Sequence, residues 1–339
     1  MKKQLTKIKR ISSKLICTIS LSGAICFSMN AYCQDKNTEK GKPIVTIFDN
    51  FGATRHIDEK ETELGFNLER AYIGYQYQFS ENWGAKIVYD MGKGDDNSLQ
   101  RLGYVKNAEV SFKKDGFKLN AGLTSTKQFK VQEDFWGNRY IYKSFLDERK
   151  WASSADLGIT VEQKLAEWLS ADVSIMNGEG YKKIQSDNQL QYSIGVTSKP
   201  IKGLTLRAFA DCKTAEDKKA QSNIGLFAGY KNDILKVGAE YNMQFNNANI
   251  DGHNLSGFSI YATSKLGNSS EVYARYDFND SSSDIDNDTW QYKHCGQTAI
   301  IGYQYKVNKL LQISPNIQYN IDNNDNKNFS FFLNTKISL

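Results

Sequence analysis

Two consecutive stretches near the C-terminus decide the fold: Leu311-Gln312-Ile313-Ser314-Pro315-Asn316-Ile317-Gln318-Tyr319-Asn320-Ile321-Asp322 and, after five residues, Asn328-Phe329-Ser330-Phe331-Phe332-Leu333-Asn334-Thr335-Lys336-Ile337-Ser338-Leu339. In the first, every odd position is apolar or Pro315 and every even one is polar. Successive side chains of a strand point to opposite faces, so one face is apolar and the other wet. Leu235, Val237, Ala239, Tyr241, Met243 and Phe245 repeat the pattern against Lys236, Gly238, Glu240, Asn242, Gln244 and Asn246.

Working outward, sixteen such runs cover the chain, from 43–51, 64–79 and 82–92 to 294–306, 310–322 and 328–339. A soluble sandwich also alternates, so length decides. Soluble strands average roughly 5–6 residues, whereas crossing a bilayer at a tilt takes about 9–11, and most of these runs are long enough. Short connections such as Ser80-Glu81, Asp115 and Asn232 follow the even runs, and longer ones follow the odd runs, including 52–63, 127–152, 280–293 and 323–327. The spacing predicts an all-β fold: a sixteen-stranded antiparallel transmembrane β-barrel with short periplasmic turns and long outer loops. Phe79, Trp83, Phe112, Phe117, Tyr230 and Tyr305 beside the short turns, and Tyr192, Phe245, Phe258 and Phe278 beside the long loops, mark two interfacial girdles. Two residues misfit. Pro315 forfeits a ladder hydrogen bond in mid-strand, and Trp168 falls in lumen register.

The N-terminus reads differently. Residues 1–33 pair a basic start (Lys2, Lys3, Lys7, Lys9, Arg10, Lys14) with a mostly apolar stretch ending in Ala31-Tyr32-Cys33. This is the pattern of a removable export signal, leaving 34–339 as the barrel and placing the protein in the bacterial outer membrane. The segment holds six of the 43 Lys and Arg and no acid, so the remainder is nearly neutral at −1. The overall basicity therefore gives no reason to expect nucleic acid as a partner; outer-membrane lipid is the expected surroundings. Cys212 and Cys295 remain, read as small apolar fillers.

Catalytic signals are absent, no cofactor is implied, and the reading is non-enzymic. His56, His253 and His294 fall in or beside outer loops, without a nucleophile and an acid in register. Asp284, Asp286 and Asp288 are spaced like the start of a calcium loop, but Thr289 and Cys295 stand where Gly and a bidentate Glu are needed. A solvated acidic loop is the reading. The lumen face is the better site. By register it presents Arg70, Lys86, Arg207, Lys236 and Arg275 beside Asp90, Glu109, Asp172, Glu240 and Asp277. Such charges either wet the wall or set up a transverse field for solutes in transit. The 127–152 segment mixes seven aromatics, among them Phe135, Trp136, Tyr140 and Trp151, with Lys130, Arg139, Lys143 and Arg149. That composition suits a constriction loop folded into the barrel; a subunit contact or surface cap is the alternative.

Between Phe66 and Gly178 stand Leu68-Glu69-Arg70-Ala71-Tyr72-Ile73-Gly74, Trp83 leading through Lys86 to Tyr89-Asp90, Asn107-Ala108-Glu109-Val110-Ser111-Phe112, Asn120-Ala121-Gly122 and Asn177-Gly178. In these motifs the chain resembles the phosphate-selective porin O/P family of outer-membrane channels. The resemblance implies a sixteen-stranded channel, often a homotrimer, with an inward loop. Members tuned for phosphate line the pore with many arginines, and only seven follow residue 33 here. The expectation is passive diffusion of small hydrophilic solutes or inorganic anions with mild anion preference. A structural or adhesive barrel with an occluded lumen is the competing expectation.

Overall fold

Sixteen strands alternate up and down the wall of a closed barrel. The computed structural model describes residues 40–93 and 101–339; the expected export signal lies outside them. The strands are β1 (Gly41–His56), β2 (Glu61–Gln78), β3 (Trp83–Lys93), β4 (Arg101–Lys114), β5 (Phe117–Ser125), β6 (Ala155–Ala166), β7 (Leu169–Met176) and β8 (Gln191–Ser198). The second half holds β9 (Leu204–Lys213), β10 (Gln221–Lys231), β11 (Leu235–Phe245), β12 (His253–Lys265), β13 (Ser270–Ser283), β14 (Gly296–Lys306), β15 (Leu311–Asp322) and β16 (Lys327–Ser338). Each pairs with its sequence neighbours, and β1 closes on β16 from Thr46↔Ser338 to His56↔Asn328. None of the sixteen strands is left with an edge presenting unsatisfied backbone to lipid.

The period-two pattern becomes an inside and an outside. On β14, Ile301 is 62% exposed on the outer face while its neighbour Ile300 is 3% exposed in the lumen. Aromatic girdles form as rings in contact: Trp83 with Phe112 at 4.9 Å near the short turns, and Phe258 with Phe278 at 5.9 Å near the long loops.

The first and last outer connections are tighter than expected. β1 and β2 extend through much of the predicted 52–63 loop, leaving a turn at 57–60 closed by Lys60 at φ 61°. The extension is stabilised because Thr54, Arg55 and His56 continue the ladder with Ser330, Phe329 and Asn328. Both misfits resolve locally. Trp168 lies in the short turn before β7, beside a register shift between Lys164 and Ala166. At Pro315 the β14–β15 ladder skips Tyr303 and Gln304, and the Ser314 hydroxyl donates to the Tyr303 carbonyl at 2.9 Å. A side-chain donor thus replaces the missing N–H.

Candidate functional site

The connection between β5 and β6 does not stand up from the rim. It carries two short helices, α1 (Lys130–Trp136) and α2 (Phe145–Glu148), and crosses the lumen to the β10–β16 wall. That wall is prepared for it. Phe227, Tyr261, Tyr273 and Ile300 occupy lumen positions that a water-filled pore would keep polar, and all are buried. Phe135 meets the Phe227 ring at 5.2 Å, and Trp136 meets Tyr261 at 4.9 Å and Tyr273 at 5.9 Å. Each such pair contributes roughly 0.5–1.5 kcal/mol beyond its buried area. Further on, Phe145 and Leu146 pack with Phe129, Trp151, Phe209 and Leu255.

Polar contacts fix the register of this docking. Lys236 donates to the Trp136 carbonyl at 2.7 Å, Tyr140 donates to Gln304 at 2.7 Å, and Asn334 donates to the Tyr140 carbonyl at 3.2 Å. The outer 284–295 loop covers it, with the Tyr292 hydroxyl donating to the Arg149 carbonyl at 3.0 Å. In that loop, Asp288 accepts from Ser283 and lies 2.7 Å from His253, whose ring stacks on Trp290. Cys295 is buried and Cys212 half-buried, both as free thiols.

The candidate cations fall into three groups. Arg275, Lys236 and Arg149 hold the loop. Arg275 forms a two-point pair with Asp277 at 2.8 Å and lies 5.1 Å from the Trp136 and Tyr142 rings, while Arg149 donates to Thr298 at 3.1 Å. A second group is ion-paired beside open space: Lys86 with Glu109 at 2.8 Å, Arg207 with Asp172 at 2.6 Å, and Lys130 with Asp134. The third group faces the other side of the loop. Arg139 sits between Glu133 and Asp147, each at 2.5 Å, Lys143 pairs with Glu148 at 3.5 Å, and Arg70 pairs with Asp90 at 3.1 Å. Burial opposes ionisation of Asp147, but Arg139, then Lys143 and Lys106, outweigh it and hold the carboxyl below the usual range.

Two cavities flank the loop. One of about 660 Å³ opens toward the short-turn end, lined by eight basic and five acidic residues, among them Lys86, Lys118, Lys130, Lys199, Arg207 and Lys231. Another of about 250 Å³ is lined by Asn50, Arg70, Arg139, Lys143 and Gln318, among others.

Sequence reasoning missed two things. The aromatic bed was visible as apolar residues in lumen register. Lys106 was hidden, because strict alternation from Glu109 sends it toward lipid; a lysine in lipid register was itself the warning of a bulge.

No protein-family model matches the chain, and no curated protein matches it. Solved structures do. An anion-selective porin from Comamonas acidovorans superposes with a TM-score of 0.65 at 11% identity, covering 88% of this chain and 99% of that one. Salmonella typhi OmpF, solved with daunomycin, gives 0.66 at 10% identity over 88% and 97%. Outer-membrane-expressed OmpT of Vibrio cholerae gives 0.63 at 13% identity over 89% and 99%. Likeness at such identities speaks for the fold: the closed sixteen-stranded wall with its apolar exterior has the architecture of these outer-membrane barrels.

Proposed function

We propose that this barrel is a passive, non-enzymic porin for small hydrophilic solutes, with a mild preference for anions. The observation that carries the reading is the placement of the crossing loop. It is fastened to Phe227, Tyr261, Tyr273 and Ile300 on β10–β14 and to Phe48 on β1, and a cavity lies on each side of it. Sixteen strands enclose room for an aqueous channel, and a loop docked on one side narrows it without filling it.

The anion preference is assigned to the larger cavity. Lys130, Arg139 and Lys143, half of the crossing loop's cations, pair with its own acids, so the 127–152 segment exerts less field than its cations alone suggest. In the cavity near the short turns, Lys118, Lys199 and Lys231 have no carboxylate partner among the described residues. Low-dielectric walls focus such uncompensated charge. The sequence resemblance supports assembly as a homotrimer, and one Vibrio cholerae OmpT structure is described as a trimer form.

Planar-bilayer recording of the purified protein tests this. Stepwise conductance with a reversal potential on the anion side is expected in a salt gradient. Replacing Lys118, Lys199 and Lys231 together by Gln should move that potential toward cations, most at low ionic strength. Folded protein without conductance steps overturns the channel reading and favours an occluded structural barrel.

A further inference from the structure

Lys106 reaches the lumen through a defect in the ladder. On β3–β4, Val88 pairs with Asn107 and the next residue, Tyr89, pairs with Val105, so Lys106 is an extra, unpaired residue. A bulge of this kind re-aims a side chain. Here it turns the ammonium inward, where Nζ lies 4.7 Å from the Tyr72 ring centre and 5.6 Å from that of Tyr181, and donates to the Tyr72 hydroxyl at 3.4 Å. The neighbouring lumen cations Arg70 and Arg139 each have carboxylate partners. Lys106 has no ion-pair partner among the described residues. Phe48 links the two sides of this contact, its ring 5.8 Å from that of Tyr72 and 6.2 Å from that of Tyr140, so the cluster lies beside the crossing loop.

The unused hydrogen-bonding capacity identifies what fits. An ammonium has three N–H donors, and one is directed at Tyr72. The Tyr72 hydroxyl accepts that bond, which leaves its own proton free to donate. Two donors therefore converge, one charged and one neutral, matching the two oxygens of a carboxylate. Tyr72, Tyr181 and Tyr104 surround them; Tyr104 and Tyr181 meet edge-on at 6.4 Å. Those ring surfaces suit the apolar body of an organic acid better than the fully polar surface of an inorganic oxyanion.

We propose that Lys106 and Tyr72 form a transit subsite for small organic monocarboxylates at the constriction. This rests on the channel reading. The subsite slows such anions as they pass, so they compete with chloride for the same ammonium.

Chloride conductance recorded with added acetate, benzoate or phosphate at matched ionic strength tests it. Both carboxylates should reduce the chloride current at lower concentration than phosphate does, with benzoate acting at lower concentration than acetate. K106Q should abolish the block, K106R should restore much of it, and Y72F should weaken it while leaving the reversal potential nearly unchanged. Equal block by phosphate, or block that survives in K106Q, overturns the subsite while leaving the channel intact. A wild-type barrel that passes no current overturns the channel reading, and this subsite falls with it.

Discussion

Arg275 and Asp277 stand two residues apart on the lumen face of β13, with side chains 1% and 0% exposed. Their two-point pair is worth keeping only while both partners are present, because removing one leaves a buried, uncompensated charge. Arg275→Ala should therefore lower stability by about 3–5 kcal/mol in a denaturant unfolding series. It should also free Trp136, whose ring loses the guanidinium beside it, and a red shift of tryptophan emission would report that. A loss below about 1 kcal/mol, in the range of surface ion pairs, would mean the pair is solvated. Register gives a second test at this scale. Ile317 is 40% exposed on the outer face and Gln318 is 6% exposed beside a cavity. Ile317→Lys should cost about 2–4 kcal/mol if it lies near the midplane, whereas Gln318→Lys can extend into the cavity and should be tolerated. Equal effects would show that the assigned faces are wrong.

The crossing loop behaves as an element with its own core, and Gly229 on β10 is part of the socket. A Cβ there would lie 2.6 Å from the terminal ring carbons of both Phe135 and Phe227, so any side chain pushes the helix α1 ring away. Gly229→Val should leave the barrel assembled, because the clash is with side chains, and should lift α1 from the wall, changing single-channel conductance. Unchanged conductance would remove this contact from the path. Acid should act on the same element through Asp147. Its folded carboxyl titrates below its unfolded value, so its stabilisation is complete above the unfolded pKa and fades as pH falls through the folded one. Conductance noise should stay flat from neutrality to about pH 4 and rise below it, and Asp147→Asn should remove that acid limb. The strands were legible in the sequence because a two-residue period survives local irregularity. The loop's inward fold was legible from its aromatics. Which wall received it was marked only by Phe227, Tyr261, Tyr273 and Ile300, apolar residues in lumen register, and a pattern of single strands does not say which faces meet across a lumen. Lys106 was legible only as an anomaly: one inserted residue reverses the register, and the sole trace of the insertion is a lysine that strict alternation sends toward lipid.

Closure is a property of the whole molecule, and it depends on residues nearly the full chain apart. β1 and β16 exchange a continuous ladder from Thr46↔Ser338 to His56↔Asn328, supported by hydroxyl contacts of Thr46 with Ser338 at 2.9 Å and Thr54 with Ser330 at 3.0 Å. β16 also completes β15, from Leu311↔Ile337 to Ile321↔Lys327. Removing it exposes two strand edges to hydrocarbon, where each unsatisfied backbone group costs several kcal/mol. No local rearrangement compensates, because β1 and β15 are both committed on their other sides. The inner face loses support as well: Phe332 lies over Gly52, and Asn334 holds both Asn316 and the Tyr140 carbonyl of the crossing loop. Deleting Phe329 to Leu339 should therefore abolish the compact form that migrates faster in unheated gel samples, and no folded protein should reach the outer membrane. A single polar change on the same strand, Thr335→Ser, should assemble normally, which separates loss of closure from a general intolerance of this segment. Recovery of a compact, membrane-inserted barrel from the truncated chain would mean that β1 can close on β15 directly, and that β16 is dispensable to the wall.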